Sequence, residues 1–459
     1  VDFDALHNGT NDLRTIPQLD AIYRGAQPLN FLHPDLDDKA RSRLTSLVIN
    51  WPRLVLGAIE ERLDVEGFRL ASEKADDDIW RIWQANDLDE WSQQCHLDAL
   101  LYGRSFVMVW PDPEDPSTPR ITVESAAQMA VQYDPTTRRI VKAAKQWKEG
   151  DEKFLTVYSP TRIERFWSDS GAASQAEWRL RSEPIENLFG QVPVVPFVNR
   201  PRLIRPLGES ELTDIIPMSD AINKLATDLM VAAEYHAMPR RWAVGVDLGA
   251  EDGTAERSRE LIRKRWSDAA ADRVWTSDSP TTQFGQFTEA TLANFIQAIG
   301  MFAANIAAVS GLPPHYLAVA NKGDNPASAD AIRASEASLI QTVKRKQRVF
   351  GGSWERVMRL AMLVRDGGVA DPAALSMETI WRDPETPTVA QKADAAVKLL
   401  TAGAISVEQA QEDLGYSPVQ IERMQAQRVV ADAAALKLAA ATPAPMPPAA
   451  PMPMDDTAA

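Results

Sequence analysis

The chain has 459 residues, with 49 Lys and Arg against 64 Asp and Glu, a net charge of −15, and 45% hydrophobic and 25% charged residues. This is a globular composition with room for about two to four domains. So acidic a balance argues against a protein that holds nucleic acid by neutralising phosphates, which takes clustered Lys and Arg. Its lone cysteine, Cys95, excludes an internal disulfide framework and nearly excludes a cysteine-based metal site, and it reads as a small buried hydrophobe.

Residues 1–40 read as weakly ordered, with turn signals at Tyr23–Leu29 and His33-Pro34. They hold no basic stretch followed by an apolar run, so the chain reads as intracellular or assembled inside a cell. From Arg41 to Arg62, Leu44, Leu47, Val48, Trp51, Val55, Ile59 and Leu63 recur at helical spacing, and Pro52 predicts a kink or a restart. Val65–Leu70 is a short strand candidate. Asp76-Asp77-Asp78 suits the positive end of the next helix better than a metal site, because consecutive carboxylates do not converge on one ion. Ile79, Trp80, Trp83, Leu88, Trp91 and Cys95 are expected to face a core, and Gly103 to close the helix ending at Tyr102.

At Arg104 the period changes. Ser105–Trp110, Ile121–Val123, Met129–Tyr133, Ile140–Trp147, Phe154–Tyr158, Arg162–Trp167 and Trp178–Arg181 alternate with turn formers, which predicts an antiparallel meander. Gln191–Val198, with two prolines, fits only an edge strand. Helical spacing returns after Gly208 through Leu212, Ile215, Ile216, Ile222, Leu225 and Leu229, and Pro239 stops it. Arg240–Val246 and Val274-Trp275 are strand candidates around a charged helix, Ala255–Trp266. Residues 240–287 thus read as a small α/β insert between two helices, 209–236 and 288–310.

The second of these helices lies in a run from Ala290 to Asn321 that holds no Asp, Glu, Lys or Arg. Leu292, Phe295, Ile296, Ile299, Phe302, Ile306 and Val309 share one face. Asn294, Gln297, Gly300 and Asn305 interrupt the run, so it falls short of the roughly 18–20 apolar residues of a membrane span. Burial in protein is expected instead, with Leu292, Phe295, Ile299, Phe302 and Ile306 packing between subunits. Gly311-Leu312-Pro313-Pro314 ends the helix, and a polar loop follows. The next helix begins near Ser328 or Asp330, with Ile332, Leu339, Val343, Phe350, Trp354 and Val357 on one side. Its Lys344, Arg345, Lys346 and Arg348 have two readings: a solvated face pairing with neighbouring acids, or a ring of positive charge facing a polyanion. After Arg365–Pro372 the chain reads as all-helical, with helices over Thr388–Leu400, from Ser406 and from Ser417-Pro418. The Pro/Ala/Met tail 441–459 reads as disordered.

Catalytic motifs are missing. The five histidines have no metal-ligand spacing, and there is no phosphate loop, no Gly-x-Ser-x-Gly elbow and no evident carboxylate dyad. No metal and no cofactor is therefore expected.

Several long patterns together resemble the portal proteins of tailed bacteriophages, the class found in long-tailed phages. They are Trp80–Trp91 with Ala99–Phe106, Gly208–Leu212 with Asp220–Leu225, Gly311–Pro314 with Asn325–Ser328 and the helix beyond, and Trp381–Thr388. The resemblance implies a mostly helical α+β fold. Its parts would be a wing with an N-terminal antiparallel sheet (1–207), a first stem helix (208–239), an α/β clip (240–287) and a second stem helix (288–310). A tunnel loop (311–329), a channel or wing helix and return (330–387) and a helical crown (388–440) would follow. It also implies a non-enzymatic ring, usually a dodecamer, at one capsid vertex of the virion, assembled in the host cytoplasm. Double-stranded DNA would pass through its axial channel without sequence preference, past Asn321, Lys322, Asp324 and Asn325 of the tunnel loop. Implied partners are the terminase large subunit, head–tail connector proteins, and major capsid and scaffold proteins, with no membrane. The alternatives are a DNA-processing enzyme, which would need a carboxylate cluster, and a non-portal adaptor or scaffold.

Overall fold

The computed structural model describes residues 15–28, 48–70, 77–169, 178–237, 241–244, 281–286, 292–317, 329–385, 389–414, 416, 421, 423–429 and 433. The chain divides into two units, Val1–Pro384 and Glu385–Ala459.

The first unit opens on a helix the sequence reading missed, α1 (Ile16–Arg24). Gln18 Oε1 accepts from the Thr15 N–H at 2.9 Å, and Gly25, at φ 69°, closes the helix. In α2 (Trp51–Glu60), Asn50 caps the start and Pro52 falls in the first turn, where a missing donor is harmless. Pro52 therefore marks a helix start, and residues 41–47 of the expected helix lie outside the described residues. β1 (Val65–Arg69), α3 (Asp77–Ala85) and α4 (Leu88–Tyr102) follow. The buried stripe of α4 runs Leu88, Ser92, Cys95, Ala99, Tyr102, one step around from Trp91, which is 44% exposed instead of facing the core.

Nine strands come next: β2 (Arg104–Trp110), β3 (Arg120–Ser125), β4 (Met129–Tyr133), β5 (Ile140–Glu149), β6 (Glu152–Tyr158), β7 (Arg162–Asp169), β8 (Arg179–Leu180), β9 (Ile185–Glu186) and β10 (Val194–Val198). The expected single meander is two sheets. β10-β2-β3 form one, with the proline-bearing β10 at its edge; β4-β5-β6-β7-β8, with β9 also on β7, form the other. A tight turn, Gln128 N–H to Ser125 O at 3.0 Å, sends the chain from the first sheet into the second. The large sheet carries a small core of its own, Ala144, Leu155 and Val157 with Phe166 and Trp178.

Two helices, α5 (Ile216–Ala237) and α6 (Ala293–Ser310), bracket an antiparallel pair, β11 (Arg241–Val244) and β12 (Gln283–Gln286). The expected helix 255–266 and strand 274–275 lie outside the described residues. After a 3₁₀ turn, Pro314–Leu317, comes α7 (Ala329–Arg365). Its Leu339, Val343, Phe350, Trp354 and Val357 are fully buried, and Trp354 meets Trp83 and Phe197 edge-on with ring centroids 4.8 and 4.6 Å apart. The segment after α7 is not all-helical, because β13 (Glu378–Trp381) pairs antiparallel with β1 and closes the unit. One continuous core joins α1–α4, the three-stranded sheet and α7.

The second unit contains α8 (Val389–Thr401) and α9 (Val407–Asp413). Gly403 at φ 66° follows α8, and Ser406 Oγ accepts from the Gln409 N–H at 3.1 Å at the start of α9. Ala396, Ala410 and Ile421 are buried there.

Candidate functional site

The candidate site is the pair α5–α6 and the junction that anchors it. At the junction the ends of α4 and β10 meet the lead-in to α5. Asn199 N–H donates to Gly103 O at 2.8 Å, Glu209 N–H to Asn199 O at 3.1 Å, and Glu211 N–H to Leu100 O at 2.9 Å. Gly208, at φ 77°, is required: a Cβ there would stand 2.3 Å from Asn199 O and 2.6 Å from Gly103 O.

Behind this backbone knot lies a buried ion pair. Lys346 Nζ on α7 donates to Glu211 Oε2 and to Asn199 Oδ1, both at 2.5 Å, and Asn199 Nδ2 donates to Glu211 Oε2 at 2.9 Å. Burial opposes the Glu211 charge, yet the Lys346 ammonium and the two hydrogen bonds hold its carboxyl below the usual carboxylate range. Lys346 itself is drawn down by burial, with Glu211 opposing. A second polar bridge spans α2, the 3₁₀ turn and α7. Arg62 Nη2 donates to Tyr316 Oη at 3.0 Å, and Tyr316 Oη donates to Glu336 Oε1 at 2.8 Å. The base of α5 is tied in as well, since Asn223 Oδ1 accepts from the Ile49 N–H at 2.8 Å. These groups position helices; no acid–base or nucleophilic chemistry converges on them, and no group of three or more metal-ligating side chains occurs among the described residues.

Above the junction α5 and α6 pack on each other, but α6 is mostly bare. Only Ala303, Ile306 and Ala307 are buried. The predicted inter-subunit stripe splits: Ile306 is fully buried in its own chain, Leu292, Phe295, Ile299 and Phe302 are half-buried, and Ile299 and Phe302 lean on the chain's own core. Three large apolar side chains stay uncovered, each 54–55% exposed: Met301 and Val309 on the outer side, and Ile296 in the first turns, at the azimuth of buried Ala303 but beyond the part of the helix that the chain covers. The helix also proves long and apolar enough to cross a membrane by length and composition, contrary to the expectation from sequence, with 17% of it buried in the chain. Asn294, Gln297 and Asn305 lie exposed along it.

The structure does not bring the four α7 cations together as a set. Lys346 is spent on Glu211 inside the chain, Lys344 is half-buried, and Arg345 and Arg348 are exposed. Asn321, Lys322, Asp324 and Asn325 lie outside the described residues. The sequence reading missed Glu211, Asn199, Arg62, Tyr316 and Glu336 as positioning groups. One signal was available: Lys346 falls between Val343 and Phe350 on the apolar stripe of α7, where a cation needs a buried partner.

A family model described as "Phage portal protein, SPP1 Gp6-like" matches residues 3–428. The portal protein of Mycobacterium phage D29 is 39% identical over 392 residues, 82% of this chain and 78% of that protein. The portal protein of Mycobacterium phage L5 is 39% identical over 389 residues, 82% of this chain and 77% of that one. Among solved structures, a chain from the neck of a native gene transfer agent particle, computed with C12 symmetry, superposes with a TM-score of 0.48 at 13% identity, covering 89% of this chain and 96% of that one. A chain from the neck of the empty particle gives 0.47 at 14%, covering 87% and 93%.

Proposed function

The chain belongs to the phage portal protein family, SPP1 Gp6-like, and from that premise we propose that it works as a homo-oligomeric ring at one capsid vertex, through which double-stranded DNA is packaged and ejected. Its role is structural; the chemistry that drives DNA is left to the terminase motor. Head–tail connectors, major capsid protein and scaffold complete its contacts, and the virion is its place of action.

The observation that carries the ring is the bare face of α6. A charge-free helix with Ile296, Met301 and Val309 more than half exposed needs cover. Lipid would leave the exposed amides of Asn294, Gln297 and Asn305 in hydrocarbon. A protein neighbour can hydrogen-bond them and bury the apolar groups together. In a ring each subunit offers two different surfaces to its two neighbours, and rotation closes the set.

In this reading residues 1–207 form the wing, 208–239 and 288–310 the stem, 240–287 the clip, 311–329 the tunnel loop, 330–387 the channel or wing helix and return, and 388–440 the crown. The helix–strand–strand–helix order of α5, β11, β12 and α6 supports this division. Asn321, Lys322, Asp324 and Asn325 touch DNA, and Arg345 and Arg348 are the α7 cations left for a channel or a neighbour. The native mass and axial images of the purified protein test the proposal. A closed ring with an opening wide enough for duplex DNA is expected; stable monomers under every assembly condition overturn it. Deleting 320–327 is expected to leave the ring intact and impair DNA packaging or retention.

A further inference from the structure

The large sheet presents one face whose side chains sort by row. Cross-strand register puts Trp147, Phe154 and Trp167 abreast on β5, β6 and β7, with Arg179 beside them on β8. Two residues along each strand, Lys145, Thr156, Arg165 and Arg181 form the next row of the same face. Two residues the other way stand Glu149, Glu152 and Asp169, all exposed. A cationic, an aromatic and an acidic row thus lie side by side, with about 13 Å between the outer two.

The aromatic row supports the arginines. Trp147 and Phe154 stack with centroids 5.3 Å apart, Arg181 Cζ stands 4.8 Å from the Phe154 centroid, and Arg179 Cζ stands 5.8 Å from that of Trp167. A guanidinium over a ring keeps its N–H edge open for hydrogen bonding. Lys145 is spent on Glu124 at 2.7 Å, whereas Arg165, Arg179 and Arg181 are exposed and make no ion pair among the described residues. Arg165 and Arg181 also stand directly opposite each other, with Arg181 N–H donating to Arg165 O at 2.8 Å, and like charges so placed destabilise a sheet. Three unpaired guanidiniums held together on a sheet ask for an anion between them.

We propose that this face docks a segment of another protein that brings carboxylates to Arg165, Arg179 and Arg181, an apolar centre to Trp147 and Trp167, and a Lys or Arg to the acidic row. Charge selects a polypeptide. A nucleic acid offers one sign only: three guanidiniums neutralise about three phosphates, while Glu149, Glu152 and Asp169 repel the strand beyond them, on a chain already at −15. A polypeptide carries both signs and can match both rows. The half-buried Trp147 and Trp167 supply aromatic anchors of the kind that dominate protein interfaces. Strand pairing and ring stacking fix the site before a partner arrives, so little ordering entropy is left to lose. The face belongs to one subunit and needs no ring.

The experiment uses the full chain and a short fluorescein-labelled peptide with glutamates at one end, a Leu-Trp-Leu centre and lysines at the other, read by anisotropy. The controls are the same peptide with glutamine for glutamate, and a short single-stranded oligothymidylate. The wild type is expected to bind the glutamate peptide about tenfold more tightly than either control. Arg165→Glu turns the opposed like charges into an opposite pair, so it is expected to melt no lower than wild type while its affinity for the glutamate peptide falls about tenfold or more. Arg179→Gln, which leaves Arg165 and Arg181 in place, is expected to weaken the same binding about threefold to tenfold. No binding of the glutamate peptide by wild type, or unchanged affinity in both variants, overturns the proposal. Tighter binding of oligothymidylate that the two variants abolish assigns the face to nucleic acid and overturns it. Loss of ring assembly in Arg165→Glu assigns the face to a second copy and overturns it as well.

Discussion

Helices α6 and α7 are both long and both carry an apolar face, yet they bury it differently. On α7, Leu339, Val343, Phe350, Trp354 and Val357 are fully covered by the chain's own helices and sheet. On α6, three residues are buried and the outer apolar face is open. The fold of one chain completes the first helix and leaves the second unfinished. Stability of the subunit should therefore depend on α7, and assembly on α6.

Among truncations, the largest effect should come from Trp354→Ala. It removes a buried ring that Trp83 and Phe197 meet edge-on and leaves His96 Nε2 without its 2.9 Å donor. A loss of about 3–5 kcal/mol is expected in denaturant unfolding of the monomer. A much smaller loss would mean that the α7 core does not carry the unit.

Lys346→Met should cost nearly as much, about 3 kcal/mol, because it leaves the Glu211 carboxylate buried without a cation. The pH dependence sharpens this. The folded-state pKa of Glu211 is depressed, so its stabilisation is present above the ordinary carboxylate value and is lost as pH falls through the lowered one. That acid limb should shrink in Lys346→Met. Replacing both partners with apolar residues should recover most of the loss.

Glu60→Gln should change stability by about 1 kcal/mol, after discounting for solvent screening. Burial, with Glu61 and Asp64 nearby, pushes the Glu60 carboxyl up to about 7. A raised acid favours the fold below its ordinary pKa of 4.5, and that stability is lost as pH rises through about 7. The glutamine variant should thus match wild type at acid pH and exceed it at pH 8; a gain at acid pH would contradict the assignment.

Met301→Asp should have the smallest effect on the monomer, within about 0.5 kcal/mol for an exposed site, and still abolish assembly. Ile306→Asp should unfold the subunit, since Ile306 is fully buried. Equal behaviour of the two variants would erase the contrast between the inner and outer faces of α6.

Much of this was legible in the sequence, for stated physical reasons. The 3.6 period exposed α5, α6 and α7, and alternation between turn formers exposed the strands. Pro193 and Pro196 forced β10 to an edge. The division of the meander into two sheets was hidden, because strand pairing depends on partners distant in sequence, and so was the β1–β13 pairing. α1 was overlooked although Thr15, Gln18, Leu19 and Ile22 carry the cap and the spacing. For the site, the charge-free run showed which helix needs a partner, and its side was legible too: Asn294, Gln297 and Asn305 share the exposed face with Met301, opposite buried Ala303, Ile306 and Ala307. The amides count against a membrane span, and they also orient the helix, with Ile306 inward and Met301 outward. Lys346 misled as one of a cluster; its place on the apolar stripe was the better guide.

In the assembled protein a second copy should cover the outer side of α6. An electron cryomicroscopy map of the assembled full-length protein tests it most directly. A closed ring is expected in which Ile296, Met301 and Val309 of every subunit lie against the neighbouring subunit. A ring in which those three side chains face solvent or the open channel would contradict it.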